Sequence, residues 1–367
     1  MLFLYLLSLF LQPAAAGTLR VPADHPTIQA AVRAARDGAT ILIAPGLYRE
    51  NIVIEGKTLT LASEKGYEQT VLDGDGQTVL TIEQSPDTKI TGLTIQNGDD
   101  GISTSSRIQV LDNRFTGNKD AIDYEGGGGV CRGNLFENNR DDAVDLDDDT
   151  EVTVEDNVIR DNRDDGIEIR LHPYTGPTLH VVIRNNVITG SGEDGIQFIG
   201  YNTNSDRVFR IERNLIADSA MAAVGCMGNE NSRENYEAYP LPEPIFLINN
   251  TFAGNHYGVT GGAGVVLLNN IFVDTAKAAL KKVAGDSVAS HNLFWNNGTD
   301  FEACGWGEQK ALFQDPLIAQ DYRLKTGSPC IDAGTDSFEW KGEQVLALGR
   351  DSYAGSAPDL GSFESGK

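Results

Sequence analysis

EVTVEDNVIRDNRDDGIEIR (151–170) contains one complete structural unit of this chain. Val152 and Val154 alternate with polar residues, Asn157 follows, and Ile159 comes two residues after it. A second alternation then starts at Asp165, with Ile167 apolar and Glu168 polar. Apolar residues at period two mark a strand with one face in a core. The unit recurs: Asn113, Asn134, Asn157, Asn186, Asn214, Asn250, Asn270 and Asn292 are each followed two residues later by Phe or Ile. A second strand enters seven or eight residues after the first seven of these Asn residues, at Asp120, Asp142, Asp165, Asp194, Ala222, Tyr257 and Ala278. Two residues further in, the side chain is apolar at Ile122, Val144, Ile167, Ile196, Val224, Val259 and Leu280. Cys131 and Cys226 fall at inward positions of the same pattern.

Short strands repeating at a fixed period describe a solenoid, because no single coil can bury its own apolar face. Asn side chains stacked at the strand spacing hydrogen-bond along the axis. The pattern predicts an all-β parallel β-helix over residues 17–312. Its open N-terminal end needs a cap, and a helix over Pro26–Arg36 supplies one, with Ile28, Ala31, Val32 and Ala35 on one face and Gly38 as its stop. Residues 313–367 lose the period and are expected to cap the other end.

Composition narrows the partners. The net charge is −24, so nucleic acid and anionic membranes are excluded as partners. Residues 1–16 read as a signal peptide, an apolar run from Leu2 to Leu11 followed by Ala14-Ala15-Ala16, which predicts a secreted or periplasmic protein. A monomer is expected. Four cysteines are present, and Cys304 and Cys330 could pair in an oxidising compartment.

The opening VPADHPTIQAAVRAARDGATILIAPGLYRENIVI (21–54) and the ending PCIDAGTD (329–336) with PDLGSFE (358–364) resemble the pectate-lyase-like superfamily of right-handed, single-stranded parallel β-helices. The resemblance covers nearly the whole chain. No subfamily motif accompanies it. The DPH of mannuronan C5-epimerases, the GTVDFIFG-like segment of pectin methylesterases, the NTDG, GHG and RIK set of polygalacturonases and the vWiDH and RxPxxR pair of pectate lyases are all missing.

The connection from each second strand to the next Asn varies in length, and the extra residues fall in three consecutive coils, near 171–179, 201–206 and 228–244. Inserts on one side of a solenoid form a binding wall. They carry Tyr174, Tyr201, Tyr236 and Tyr239, suited to stacking on sugar rings. Beside them, the outward position of the second strand reads Ser103, Asp123, Asp145, Glu168, Gln197, Gly225 from coil to coil, and two residues further on Asp147 is followed by Arg170. Carboxylates on adjacent strands about 4.8 Å apart repel by about 3 kcal/mol per pair at an effective dielectric of about 20. A bound cation, a raised pKa or Arg170 must offset that. A contrasting ladder, Arg132, Glu155, Arg184, Glu212, alternates in sign as a stabilising surface ladder should. Calcium fits Asp123, Asp145, Asp147 and Glu168 as oxygen ligands, with Asp142 and Asp165 as secondary candidates or turn caps.

The resemblance implies a calcium-assisted polysaccharide lyase acting on an acidic (uronate) polysaccharide by β-elimination, with an Arg or Lys as the base. Arg170 is the best-placed cation, although a salt bridge to Asp147 is an equal reading. His172, next on the same outward alternation, and Lys119 are further candidates, and Gln197 joins the tyrosines as a substrate contact. A glycoside hydrolase using Asp145 and Glu168, a C5-epimerase, and a non-catalytic carbohydrate-binding or periplasmic accessory β-helix remain as alternatives. One accessory class serves copper enzymes. Five His and three Met without clustering argue against copper here.

Overall fold

The computed structural model describes residues 17–201, 203, 205–229, 239–305 and 309–366. The expected signal peptide (1–16) and Tyr236 lie outside the described residues. The chain winds through three parallel sheets. Sheet A has twelve strands, from Thr18–Val21 to Val288–Ser290. Sheet B has eleven, from Gly46–Arg49 to Leu293–Trp295, and sheet C eleven, from Ile52–Glu55 to Thr299–Glu302. One coil visits each sheet in turn, as in Gly128–Arg132, Leu135–Glu137 and Val144–Leu146. The molecule is a right-handed parallel β-helix.

Register follows the repeat. Val110 pairs with Cys131, Cys131 with Val154 and Val154 with Ile183 in sheet A. In sheet B the equivalent column is Phe115, Phe136, Ile159 and Ile188. These side chains are fully buried and form the continuous core. Aromatic rings stack along it, with Phe115 and Phe136 at 4.9 Å and Phe272 and Phe294 at 5.1 Å between centroids.

The A-to-B turns are held by the expected Asn ladder. Asn134 donates its backbone N–H and its Nδ2 to Asn157 Oδ1 (2.9 and 3.1 Å), and Asn157 does the same to Asn186 (3.0 and 3.0 Å). A second ladder, Asn118, Asn139 and Asn162, does the same at the B-to-C turns. The Asn-x-Phe/Ile pattern does not mark these residues. A third ladder is made of carboxylates. Asp120, Asp142, Asp165 and Asp194 each use Oδ1 to accept from the backbone N–H one coil further on. Asp142 and Asp165 are therefore turn caps, and burial together with neighbouring carboxylates pushes both well above the ordinary carboxylate range.

At the N-terminal end, the helix Ile28–Ala34 packs on the first strands of sheets A and C and buries Ile28, Ala31 and Val32. Thr27 Oγ1 accepts from Ala30 N (3.1 Å), and the Glu50 carboxylate accepts from Ile28 N and Gln29 N (2.9 and 3.0 Å). The helix is shorter than Pro26–Arg36 because Ala35 is already extended (φ −65°, ψ 145°). Gly38, at φ +76°, shapes the turn into the next strand instead of stopping the helix.

Beyond Leu312 the chain turns back along the side of the coils. Cys330 and Leu360 pack with Leu215, Ile271 and Leu293 on the outside of sheet B. Val345 and Leu346, from the hairpin Ser337–Trp340 and Glu343–Ala347, cover Phe246, Ile248, Val266 and Leu268 on the outside of sheet A. All four cysteines are free thiols, with Cys304 against the main core and Cys330 in the tail cluster.

Candidate functional site

Sheet C carries the ladder in the expected register. Ser103 pairs with Asp123, Asp123 with Asp145, Asp145 with Glu168, Glu168 with Gln197 and Gln197 with Gly225. Period two turns these side chains away from the apolar core. They are nevertheless covered: Asp145, Glu168 and Gln197 are 5, 7 and 4 % exposed. At Gly225 an added Cβ would lie 1.9 Å from Asp194 Oδ2, so the rung after Gln197 has no room for a side chain.

One oxygen each from Asp123, Asp145 and Asp147 lie within 4.8 Å of one another. Asp123 Oδ1, Asp145 Oδ1 and Asp147 Oδ1 are all shielded from solvent and have no hydrogen-bond partner. A second convergent set is Asp142, Asp145 and Glu168. Arg170 enters the cluster from one side. Its Nη1 is 2.7 Å from Asp145 Oδ2 and 3.5 Å from Asp147 Oδ2, and its Nη2 pairs with Glu168 Oε1. The salt bridge to Asp147 is thus present, and Arg170 also serves two further carboxylates. No arginine pairs with Asp123 among the described residues.

One arginine beside four acids leaves an electrostatic deficit. Burial, reinforced by Asp145, pushes Asp123 up to about 8. Burial raises Asp145 to about 7 in spite of Arg170. Burial and Asp145 raise Glu168 to about 8. Other faces differ. Glu155 lies between Arg132 (3.5 Å) and Arg184 (2.6 Å), as the alternating ladder predicts, and Glu137 lies between Arg114 (2.6 Å) and Arg160 (2.5 Å). Hydrogen bonds from those two arginines hold Glu137 below its usual value, against the opposing effect of burial.

Beside the cluster, His172 Nδ1 lies 2.9 Å from Asp148 Oδ1 and His172 Nε2 lies 2.9 Å from the Tyr201 hydroxyl. Asp148 adopts a left-handed conformation (φ +46°), which breaks the strand alternation and re-aims its carboxylate. For that reason period-two reading of the sequence passed over Asp148. The almost fully buried Arg207 holds both partners from behind. Its Nη1 donates to the His172 carbonyl (2.9 Å) and its Nη2 to the Asp148 carbonyl. Tyr201 feels Arg170, Asp147, Glu168 and Asp145 together, and burial is the largest cause of its raised pKa.

The other expected residues are placed differently. Lys119 stands at the entrance of its sheet C strand, paired with Asp120 (2.8 Å) and Asp141 (3.3 Å), whereas His172 follows a strand exit. A five-residue strand separates those two ends by roughly 15 Å. Tyr174 lies under the Arg207 guanidinium (5.5 Å) with its hydroxyl on Pro177 O (3.2 Å). The Tyr239 ring is packed over Gly200 and Gly228. The first two inserts extend sheet A, since Tyr174 pairs with Ser205 and Leu179 with Arg207. A cavity of about 350 Å³ lies among the inserts, walled by Asp206, Arg207 and Glu243; the acid cluster is outside it.

The structure of the pectate lyase Pel9A is similar over 92 % of this chain and 90 % of that one, with 18 % identity and a TM-score of 0.60. The mannuronan C-5 epimerase AlgE4 A-module of Azotobacter vinelandii is similar over 76 % and 86 %, with 14 % identity and a TM-score of 0.47. At 18 % identity the likeness to Pel9A shows the fold alone. No curated protein matches the sequence. Residues 50–238, just over half the chain, match the family described as periplasmic copper-binding protein (NosD). The chain belongs to that family, on a pectate-lyase-like right-handed β-helix scaffold.

Proposed function

We propose that this chain is an extracytoplasmic, calcium-assisted lyase that cleaves an acidic (uronate) polysaccharide by β-elimination. The observation that carries the reading is the convergence of Asp123, Asp145 and Asp147 with three shielded, unpartnered oxygens. A hard cation satisfies such oxygens and removes the repulsion that raises their pKa values. Asp123, Asp145 and Asp147 would hold it, with Glu168 turned toward Arg170. When bound, calcium supplies positive charge that neutralises the substrate carboxylate and acidifies the adjacent C–H. The protein's own charge of −24 would otherwise repel a polyanion.

Three carboxylates hold Arg170 more firmly protonated than a free arginine. It acts as the cluster's counter-ion and orients Asp145 and Glu168. Half-buried Tyr201, beside the cluster, offers a ring for sugar stacking. The family description and the apolar run at residues 1–16 support a periplasmic location.

Copper, named in the family description, does not fit these residues. Copper favours imidazole, thiolate and thioether donors. Among the described residues, every group of three or more converging His, Cys, Asp or Glu donors is carboxylate alone. Cys131 is fully buried and its thiol is pushed up to about 12. His172 is already engaged by Asp148 and Tyr201.

The test is calcium calorimetry together with a panel of pectate, alginate and glycosaminoglycan. The expected result is calcium binding weakened at least ~10-fold by Asp145→Asn, and a calcium-dependent product with the ultraviolet absorbance of an unsaturated uronate. Reducing ends without that absorbance would make the protein a hydrolase. Polymer binding without turnover would make it a carbohydrate-binding accessory protein. No calcium binding at all would overturn the reading.

A further inference from the structure

We infer that Tyr201, His172 and Asp148 form a proton relay, with Tyr201 as the group that meets the sugar and His172 as the acceptor that readies it. The inference deepens the lyase reading and rests on it for the substrate. Its geometry stands independently.

In the neutral tautomer whose Nδ1 proton goes to Asp148 (2.9 Å), the Nε2 lone pair faces the Tyr201 hydroxyl at 2.9 Å. The two rings are 4.7 Å apart between centroids. Arg207 ties the carbonyls of Asp148 and His172 together, so the pair is set by one buried side chain across two coils. Tyr201 therefore has a built-in proton acceptor on one side. The other charged groups near it are Arg170 and the carboxylates of Asp145, Asp147 and Glu168. None of the other candidate bases offers this. Arg170 is held by three carboxylates and Lys119 by two.

The Tyr201 proton passes to His172 Nε2, and the Asp148 carboxylate stabilises the resulting imidazolium. The Tyr201 oxygen then takes the proton from the ring carbon beside the uronate carboxylate. The C–H electron pair becomes the new C=C bond, and the bond to the glycosidic oxygen breaks with its pair on oxygen. That oxygen recovers the proton from Tyr201, and His172 then returns the phenol's original proton to the Tyr201 oxygen, which restores both side chains. The net change is one proton moved from carbon to oxygen and one sugar–oxygen bond replaced by a double bond.

The experiment uses the full chain and two readouts. The first is the tyrosinate absorbance of wild type minus Tyr201→Phe, followed against pH with and without calcium. His172→Gln, which keeps a hydrogen bond but takes no proton, should move the Tyr201 ionisation to higher pH. The second is turnover of the uronate polymer. Tyr201→Phe should lower it ~100-fold or more with calcium affinity intact. Asp148→Asn should lower it ~10-fold or more and shift the pH profile, because an amide can hold the wrong imidazole tautomer. Wild-type rates in Tyr201→Phe, or an unmoved Tyr201 ionisation in His172→Gln, would overturn the relay. An inactive wild type on every polymer would instead remove the lyase reading and leave the relay to be judged on the tyrosinate signal.

Discussion

Arg170 holds together a group of acids that cannot all be charged without help. Removing it leaves Asp145 and Glu168 buried and unpaired. Arg170→Ala should therefore cost about 2–3 kcal/mol in chelator-treated protein, with calcium restoring most of it. Thermal unfolding with and without calcium measures both effects. The same cluster sets a pH dependence. Asp123, Asp145 and Glu168 have folded-state values of about 8, 7 and 8, above the unfolded carboxylate range of roughly 4. Between those limits the folded state binds more protons than the unfolded state. Stability without calcium is then greatest below pH ~4 as far as these groups are concerned, and falls as pH rises toward ~8. Saturating calcium should flatten that fall, and calcium affinity should rise over the same window as protons stop competing. Melting curves and calorimetry at several pH values between ~5 and ~8 check both.

At the scale of elements, the coils are held by ladders whose rungs are not interchangeable. Asn157 Oδ1 accepts two bonds from Asn134, and its Nδ2 donates to Cys131 O (2.9 Å) and Asn186 Oδ1 (3.0 Å). Asn157→Ala would leave buried donors and acceptors unsatisfied and should cost about 3 kcal/mol. Phe136, stacked on Phe115, should cost ~3–5 kcal/mol as Phe136→Ala through the cavity it opens. Because each coil pairs its strands only with those of its neighbours, both losses should be greatest in the adjacent coils. Hydrogen exchange resolved along the chain would show protection lost around residues 110–190 and retained near the C-terminal coils. Uniform loss would contradict that one-dimensional coupling.

For the whole molecule, the tail is a side wall. Deleting residues 313–367 would expose Phe246, Ile248, Val266 and Leu268 on one sheet and Leu215 and Ile271 on another. The truncated protein is expected to aggregate or unfold at lower temperature, as light scattering during a thermal ramp would show. Overall charge imposes a second constraint. With calcium chelated, binding of an anionic polymer should be weak at low ionic strength and improve with added salt, since salt screens repulsion between like charges. With calcium present the salt response should reverse, because screening then weakens a bridged attraction. Binding isotherms at two ionic strengths decide between the signs.

The recurring Asn-x-Phe/Ile turn and the period-two strands were enough to determine the coil, its register and the rungs on which Asp123, Asp145 and Glu168 stack. Those features depend on local periodicity, which a linear sequence contains in full. Only the tertiary structure showed that Arg170 reaches three carboxylates at once and that Tyr239 packs over glycines. It also brought Asp148 to His172. That contact depends on a left-handed turn at Asp148 and on Arg207, two coils away, and neither a break in the alternation nor contact between distant coils is encoded in a repeat pattern.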